Sequence, residues 1–258
     1  MLYNKTKNLL IKKELPQFGI VCSNPARVSR LIKNLNNTVT HTDAWGITIY
    51  VGLFENIELF LASVPMGSAG SGFAFLEMYA AGAKYIIRYG SNDRYVTEDN
   101  LCDIILVDEA DNLCGMMLDS GYDFEDTETS FKASTVLLDV LSQAVHTRGF
   151  PLNIRTCHNV DDYHAFNYPD AFKNKDRILE KIEKLEVPEK EHCWDMETAA
   201  LFFRAKQCNA HAATVLQCLI KHGLNEQPYE SKYVSNFKEM EHHILDVIFD
   251  AFSQLKKF

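Results

Sequence analysis

An arginine interrupts an otherwise apolar segment at residues 86–91 (IIRYGS). A charge inside a buried strand is costly unless it is paired. Ligands of open α/β sheets bind beyond the carboxyl ends of the strands. The sequence therefore predicts an anion site formed by Arg88 and Ser91. A structural ion pair between Arg88 and a core carboxylate is the alternative.

Two further segments have the composition of anion-binding or ligand-binding turns. Residues 22–28 (CSNPARV) end a strand and begin a helix, whose first backbone N–H groups can hold an anion together with Arg27. Residues 65–72 (PMGSAGSG) join a strand to a helix, and their glycines let the backbone pass close to a ligand. The turn lacks the GxGxxG, Walker and GxSxG patterns, which disfavours dinucleotide binding, nucleoside triphosphate binding and serine-hydrolase chemistry. A surface arginine and a plain tight turn are the alternatives.

Two carboxylates begin an apolar helix in residues 194–202 (WDMETAALF). Acidic side chains at a helix start interact favourably with the helix dipole, which accounts for Asp195. The dipole accounts less well for Glu197, because nearly all of the residues that follow it are apolar. Glu197 is therefore a candidate ligand-binding carboxylate.

The elements that must position these residues alternate between strand and helix patterns. Strands are predicted at residues 18–22, 47–52, 57–65, 84–90, 102–107, 152–156 and 212–220. Helices are predicted at residues 25–35, 73–83, 130–148, 170–186, 196–206 and about 237–255, and a loop at 158–169. This order predicts an α/β fold in a single domain, 1–258, with a mixed central β-sheet flanked by helices.

Composition narrows the classes of function. The 258 residues are 47% hydrophobic, enough for the core of one domain. A net charge of -9 disfavours a nucleic-acid surface, although it allows a local phosphate pocket. The sequence has no apolar run of roughly 18 residues, so no membrane partner is expected. Residues 1–15 are expected to be a frayed polar terminus rather than a targeting signal.

Cysteines and histidines indicate a reduced, metal-free protein. The seven cysteines are widely spaced and several lie in apolar runs, which favours reduced core thiols and a cytoplasmic location over a disulfide framework. His242 and His243 are interpreted as part of a solvated helix face. No metal site and no organic cofactor are expected.

Four motifs, in order and spacing, resemble the nucleoside phosphorylase-I family, which includes purine nucleoside phosphorylases, uridine phosphorylases and some nucleosidases. The family pattern Gly-Asp-Pro-x-Arg corresponds to residues 23–27 (SNPAR), and Gly-Met/Ile-Gly to residues 65–67 (PMG). Residues 82–91 (GAKYIIRYGS) match the family stretch around its strand arginine almost position for position, and residues 195–197 (DME) match Glu-Met-Glu. Residues 67–70 (GSAG) resemble protozoan purine enzymes in particular. The resemblance extends from about residue 18 to residue 220.

The resemblance implies reversible phosphorolysis of a nucleoside, with a purine preferred, to a free base and ribose 1-phosphate. Inorganic phosphate would be a co-substrate, and the chain would form a homo-oligomer, either a dimer or a hexamer built as a trimer of dimers. Arg88 and Glu197 would be catalytic. The implied phosphate-binding residues are Ser23, Arg27, Arg88, Ser91 and His41 from a neighbouring subunit; the ribose-binding residues are Met66, Met196 and Glu197; the base-binding residues are Tyr163, Phe166, Asp195 and Gln217.

Several positions depart from the family pattern and leave alternatives open. Ser23 replaces a glycine, Asp93 lies near the expected phosphate site, and His41 stands where a neighbouring subunit would supply arginine. Histidine is only partly charged near neutral pH. Residues 215–219 (VLQCL) lack the acid that purine enzymes use on the base. Uridine phosphorylase, a nucleosidase that uses water, and a catalytically impaired nucleoside-binding protein are therefore the alternatives.

Overall fold

The protein is built around one mixed β-sheet. The computed structural model describes residues 11, 13–92, 103–112, 115–121, 130–185, 192–218 and 231–256. Its strands are β1 (Phe18–Cys22), β2 (Asn36–Ala44), β3 (Ile47–Phe54), β4 (Ile57–Ser63), β5 (Tyr85–Asn92), β6 (Ile104–Asn112), β7 (Ser130–Lys132), β8 (Asn153–Asn159), β9 (His192–Asp195) and β10 (His211–Cys218). Their order across the sheet is β2-β3-β4-β1-β5-β10-β6-β8-β9, with β7 paired to β6.

The sheet contains two parallel groups that run in opposite directions. Strands β4, β1, β5 and β10 are mutually parallel, as are β6, β8 and β9. The groups meet at the antiparallel pair of β10 and β6, and β2 and β3 extend the first group as an antiparallel hairpin. The predicted mixed sheet is confirmed.

Helices cover both faces of the sheet. They are α1 (Pro25–Leu31), α2 (Ser68–Ala80), α3 (Gly115–Asp119), α4 (Thr135–Thr147), α5 (Tyr163–Asn167), α6 (Lys175–Leu185), α7 (Thr198–Cys208) and α8 (Ser231–Leu255). One hydrophobic core lies between the sheet and α2 and α7, and the other lies between the sheet and α1, α4 and α8. Because side chains alternate along a strand, Ile86 joins the first core and Ile87 the second.

Several boundaries differ from the predicted ones. Helix α2 begins at Ser68 rather than at residue 73, because the glycine turn itself forms its first turn. Residues 130–132 form β7, so the helix predicted from residue 130 begins at Thr135. The loop predicted at 158–169 is wrong in part, since β8 runs to Asn159 and α5 follows. Strands β2 and β9 were not predicted.

The last strand of the sheet returns to its middle. Strand β9 contacts β5 although three strands separate them in the sheet order. The side-chain oxygen of Asn92 on β5 accepts a hydrogen bond from the backbone N–H of Trp194 on β9, at 2.9 Å. The sheet is therefore strongly curled, and residues from β5 and β9 share one buried site.

In the ranges that the structure describes, no helix is long and apolar enough to cross a membrane.

Candidate functional site

Arg88 lies in the middle of β5 with only 3% of its surface exposed. Its Nε and Nη2 donate to the two carboxylate oxygens of Asp195, at 2.7 and 2.6 Å. Nη2 also lies 2.5 Å from Oε2 of Glu197, and Nη1 donates to the hydroxyl of Ser23, at 3.0 Å. The Arg88 guanidinium thus joins three chain segments that are far apart in sequence.

Asp195, the last residue of β9, pairs with Arg88 and also holds the start of α7. Its Oδ2 accepts hydrogen bonds from the backbone N–H groups of Glu197 and Thr198 and from the Thr198 hydroxyl. Burial opposes ionisation of Asp195, but the charge and hydrogen bonds of Arg88 outweigh it, so the pKa of Asp195 lies below its usual value. Asp195 is therefore an ionised carboxylate with its oxygens fully engaged.

Glu197 is a buried carboxylate whose charged form is disfavoured. Its Oε1 accepts a hydrogen bond from the backbone N–H of Gly67, at 2.7 Å, and its side chain is 2% exposed. Desolvation raises the pKa of Glu197 to about 7, and the charge of Asp195 adds to the rise, while Arg88, Gly67 and Ser23 act in the opposite direction. Near neutral pH, Glu197 can therefore be present in either protonation state.

The charges in this cluster nearly cancel. Arg88 carries one positive charge and faces Asp195 and Glu197, so the sum is -1 with both carboxylates ionised and zero with Glu197 protonated. The same carboxylates raise the pKa of Arg88 above its usual value, even though burial acts against this. The guanidinium therefore stays charged, and an incoming anion has to compete with carboxylates for it.

The glycine turn supplies one wall of the cluster. Gly67 has φ +87°, a backbone conformation that side-chain-bearing residues rarely adopt, and it precedes the first residue of α2. This conformation directs its N–H to Glu197. The hydroxyl of Ser71 donates to the carbonyl of Gly67, at 2.7 Å, which fixes the turn from the helix side.

Comparisons with known proteins identify the architecture that carries this cluster. The structure is similar to the crystal structure of a uridine phosphorylase from Vibrio fischeri, with a TM-score of 0.75 and 19% sequence identity. The match covers 100% of this chain and 99% of that one. The chain has the nucleoside phosphorylase fold. No family model matches the sequence, and no curated protein matches it significantly.

On the nucleoside phosphorylase fold, the residues predicted for phosphate fall into separate groups. Arg88 and Ser23 are in direct contact, and Ser91 lies half-buried on the same strand as Arg88. Arg27 is directed elsewhere: its Nε lies 3.4 Å from Oε1 of Glu241, and its guanidinium stacks 4.3 Å from the ring centroid of Tyr89. Arg27 therefore acts in this structure as the partner of a buried carboxylate on α8.

His41 lies on the edge strand β2, apart from the Arg88 cluster of its own chain. Its ring nitrogens contact the Thr42 hydroxyl and the carbonyl oxygen of Glu14. It lines a groove of about 900 Å³ together with Phe18 and Tyr85, which begin strands β1 and β5. The groove therefore lies at the amino ends of these strands.

The residues predicted for ribose flank Glu197. Met66 lies in the glycine turn, just before Gly67, and is 69% exposed, and Met196 is half-buried between the two carboxylates. The carbonyl oxygen of Met196 accepts a hydrogen bond from the side-chain amide of Asn159, at 3.4 Å. Asn159 also accepts from the backbone N–H of Ala199, at 3.0 Å, so the end of β8 fixes the segment that carries Glu197.

The residues predicted for the base are dispersed. Tyr163 and Phe166 lie on α5, and the Phe166 ring centroid is 5.5 Å from that of Trp194, the residue before Asp195. Gln217 is buried on β10, where its side-chain oxygen accepts from the Tyr89 hydroxyl, at 2.7 Å. Asp195 is committed to Arg88 and to α7. The α5 aromatics, in contrast, take part in ring contacts, Tyr163 with Tyr168 and Phe166 with Trp194. Asp93 lies outside the described residues.

Sequence reasoning missed the residues that support the cluster, namely Asn159, Asp161 and Thr198. Asn159 and Asp161 act on backbone groups of distant segments, so no local sequence pattern signals them, whereas Thr198 donates its N–H and hydroxyl to Asp195 only three residues earlier, a spacing that could have signalled it. Among the residues for which positions are described, no group of three or more His, Cys, Asp or Glu side chains is arranged to hold a metal ion.

Proposed function

We propose that this chain is a nucleoside phosphorylase, which uses inorganic phosphate to split a nucleoside into free base and ribose 1-phosphate. The observation that carries the proposal is the buried contact of Arg88 with Glu197, made beside the glycine turn that binds the other oxygen of Glu197. A cation for phosphate and a carboxylate for sugar hydroxyls thereby lie side by side, as the displacement at the anomeric carbon requires.

In the proposed reaction, Glu197 accepts hydrogen bonds from the ribose hydroxyls, while Met66 and Met196 pack against the sugar. Arg88, Ser23 and Ser91 bind phosphate, with Arg27 and a neighbour's His41 as further proposed ligands. A phosphate oxygen forms a bond to the anomeric carbon as the carbon–nitrogen bond breaks. That electron pair leaves with the base, and the base takes up, through solvent, the proton that the attacking hydrogen phosphate gives up. The chain contributes mainly positioning and electrostatic stabilisation of the developing charges.

A purine nucleoside is the proposed substrate, with uridine as the alternative. The GSAG sequence of the glycine turn supports a purine, whereas the absence of an acid in residues 215–219 supports uridine. Tyr163 and Phe166 are the proposed stacking residues, because their short helix follows β8 next to Trp194. Asp195 and Gln217 would act on the base only if it displaced their present partners.

The test is base release from inosine, adenosine and uridine, each with and without phosphate. The proposal expects release of base from at least one nucleoside, dependent on phosphate, with formation of ribose 1-phosphate in equal amount. No release from any of the three would exclude an active phosphorylase of these substrates, and tight binding without turnover would then identify a nucleoside-binding protein.

The near-cancellation of charge around Arg88 favours one second candidate, a nucleosidase that uses water. Two carboxylates occupy the guanidinium that would hold a phosphate dianion, and they would repel that dianion. Release of base at the same rate with and without phosphate, yielding ribose rather than its phosphate ester, would identify this activity.

A further inference from the structure

Two consecutive backbone N–H groups in the glycine turn are bound by two different carboxylates. The N–H of Gly67 donates to Oε1 of Glu197, at 2.7 Å, and the N–H of Ser68 donates to Oδ1 of Asp161, at 2.9 Å. The hydroxyl of Ser68 donates to the same oxygen of Asp161. The turn is therefore held between the residue proposed to bind ribose and a residue with no role in the function so far.

Asp161 caps two helices from a remote position. Ser68 is the first residue of α2, whose N-cap, Gly67, has no side chain to accept a hydrogen bond. Asp161 supplies that acceptor from 93 residues away in sequence. Its second oxygen, Oδ2, accepts from the N–H of Gly115 at the start of α3, at 2.9 Å. A carboxylate at a helix start satisfies free N–H groups and interacts favourably with the helix dipole.

The segment that carries Asp161 is itself fixed to the Glu197 segment. Asp161 follows β8 by two residues, and the intervening Val160 donates its N–H to the carbonyl oxygen of Asp195, at 3.0 Å. Asp161 therefore links the end of β8, the glycine turn and α3. A shift of its side chain would move the Ser68 peptide, and the Gly67 N–H that orients Glu197 would move with it.

We infer that Asp161 is a positioning residue for Glu197, acting through the two consecutive amides of the glycine turn. This inference rests on the proposed function, because it assigns Asp161 to the ribose side of that site. It also makes a purely geometric statement, that the Gly67–Glu197 hydrogen bond depends on Asp161. Both parts can be tested, and they can fail separately.

The substitution Asp161→Asn keeps the size of the side chain but replaces one acceptor oxygen with an amide that faces a donor. Nucleoside affinity, measured by calorimetry without phosphate, is expected to fall about tenfold, because a displacement near 1 Å can have an effect of this order or larger. Asp170→Asn is the matched control, since Asp170 is exposed and pairs with Lys175 on the surface. The control is expected to change nucleoside affinity less than twofold.

A double-mutant cycle separates positioning from a general loss of stability. If Asp161 acts through Glu197, Asp161→Asn has less than about a twofold effect on nucleoside affinity in a Glu197→Ala background, which has no acceptor for the Gly67 N–H. A full tenfold loss in that background would overturn the inference.

Crystal structures of the unaltered protein and Asp161→Asn test the geometric part independently of activity. The inference expects the Gly67 N–H to leave Oε1 of Glu197 in the variant, and an unchanged hydrogen bond would overturn it. If the unaltered protein neither binds nor cleaves any nucleoside, the proposed function fails, whereas this structural comparison still decides the role of Asp161.

Discussion

At the scale of single residues, Arg88 is bonded to the same carboxylates that would neighbour a bound phosphate. Its Nε and Nη2 fit the two oxygens of Asp195 side by side, a geometry that only the planar guanidinium provides. Complete removal of Arg88 would leave two buried carboxylates unpaired, at a cost of roughly 3–5 kcal/mol in the free energy of unfolding. A charge-conserving change is therefore the more informative test.

Arg88→Lys is expected to raise the KM for phosphate by at least about tenfold, because lysine keeps the charge but loses the bidentate fork. The KM for the nucleoside is expected to change much less. Arg148→Lys is the matched control, because Arg148 also pairs with two carboxylates, Asp246 and Asp250, but does so on the surface. Steady-state kinetics with each substrate varied in turn would check this, and an equal rise in both KM values would contradict the assignment.

The raised pKa of Glu197 makes a prediction about stability. A carboxyl whose pKa is higher in the folded state binds its proton more tightly there, so its contribution to stability is lost as pH rises through about 7. The protein is therefore expected to lose on the order of 3 kcal/mol relative to Glu197→Gln between about pH 5 and pH 8. Urea unfolding of both proteins across this range measures the difference, and a difference that does not vary with pH would refute the prediction.

The sequence was enough to select Arg88 and Glu197 as site residues, but not to predict that Arg88 pairs with the carboxylates. Arg88 in an apolar strand and Glu197 before an apolar helix stand out in the sequence because a buried charge needs a reason. The sequence left open whether Arg88 binds a ligand or a core carboxylate, and the structure shows the carboxylates in place. The pairing depends on the return of β9 to β5, which no local pattern encodes.

At the scale of elements, the glycine turn depends on the positive φ of Gly67, which residues with a side chain rarely adopt. Gly67→Ala places a side chain at φ +87° and is expected to lower the free energy of unfolding by about 1–2 kcal/mol. The alanine Cβ would have room, since the nearest atom is Oδ1 of Asp161 at 3.8 Å. Relaxation of the strained backbone would turn the N–H away from Glu197, so nucleoside affinity should fall as well.

Gly149→Ala is the control for the glycine turn. Gly149 has φ +76°, nothing within 4 Å of an added Cβ, and a position after α4, away from the cluster. It should show a similar loss of stability in urea unfolding with unchanged nucleoside binding. Loss of binding in both variants, or in neither, would contradict the role given to the Gly67 N–H.

The elements that the sequence predicted poorly have a common physical property. Strand β2 is polar and largely exposed, with irregular register against β3, so it lacks the alternation by which strands are detected. Strand β9 has four residues, and it forms because β8 and β5 lie on either side of it. Buried strands such as β1 and β5 were predicted because their apolar runs reflect burial on both faces.

At the scale of the whole molecule, three exposed apolar side chains lie at the end of the sheet that carries the glycine turn. Trp45 is 84% exposed in the turn between β2 and β3, Met66 within the glycine turn is 69% exposed, and Phe73 directly after the turn is 50% exposed. Exposed apolar patches mark surfaces that meet another molecule. This supports the proposed homo-oligomer, in which His41 would complete the phosphate site of a neighbour.

Subunit complementation tests whether His41 acts across an interface. In a mixed dimer of His41→Ala and Glu197→Gln subunits, one site would have its own Glu197 and a neighbour's His41, while the other site would lack both. Random pairing of equal amounts should therefore restore about a quarter of the unaltered activity, since half of the dimers are mixed and each has one intact site. The measurement is phosphate-dependent base release after the two variants are unfolded and refolded together.

The matched control is a mixture of Glu197→Gln with Arg88→Lys. Both residues lie in the same cluster of one chain, in direct contact through Arg88 Nη2 and Glu197 Oε2. A mixed dimer would then contain one site with each defect, so activity at low phosphate should not exceed the mean of the two variants measured separately. Recovery in the first mixture alone would support a site shared between subunits. His41, which lies apart from the Arg88 cluster of its own chain, would then contact the Arg88 cluster of a second copy. The same low activity in both mixtures would place the function of His41 outside the phosphate site.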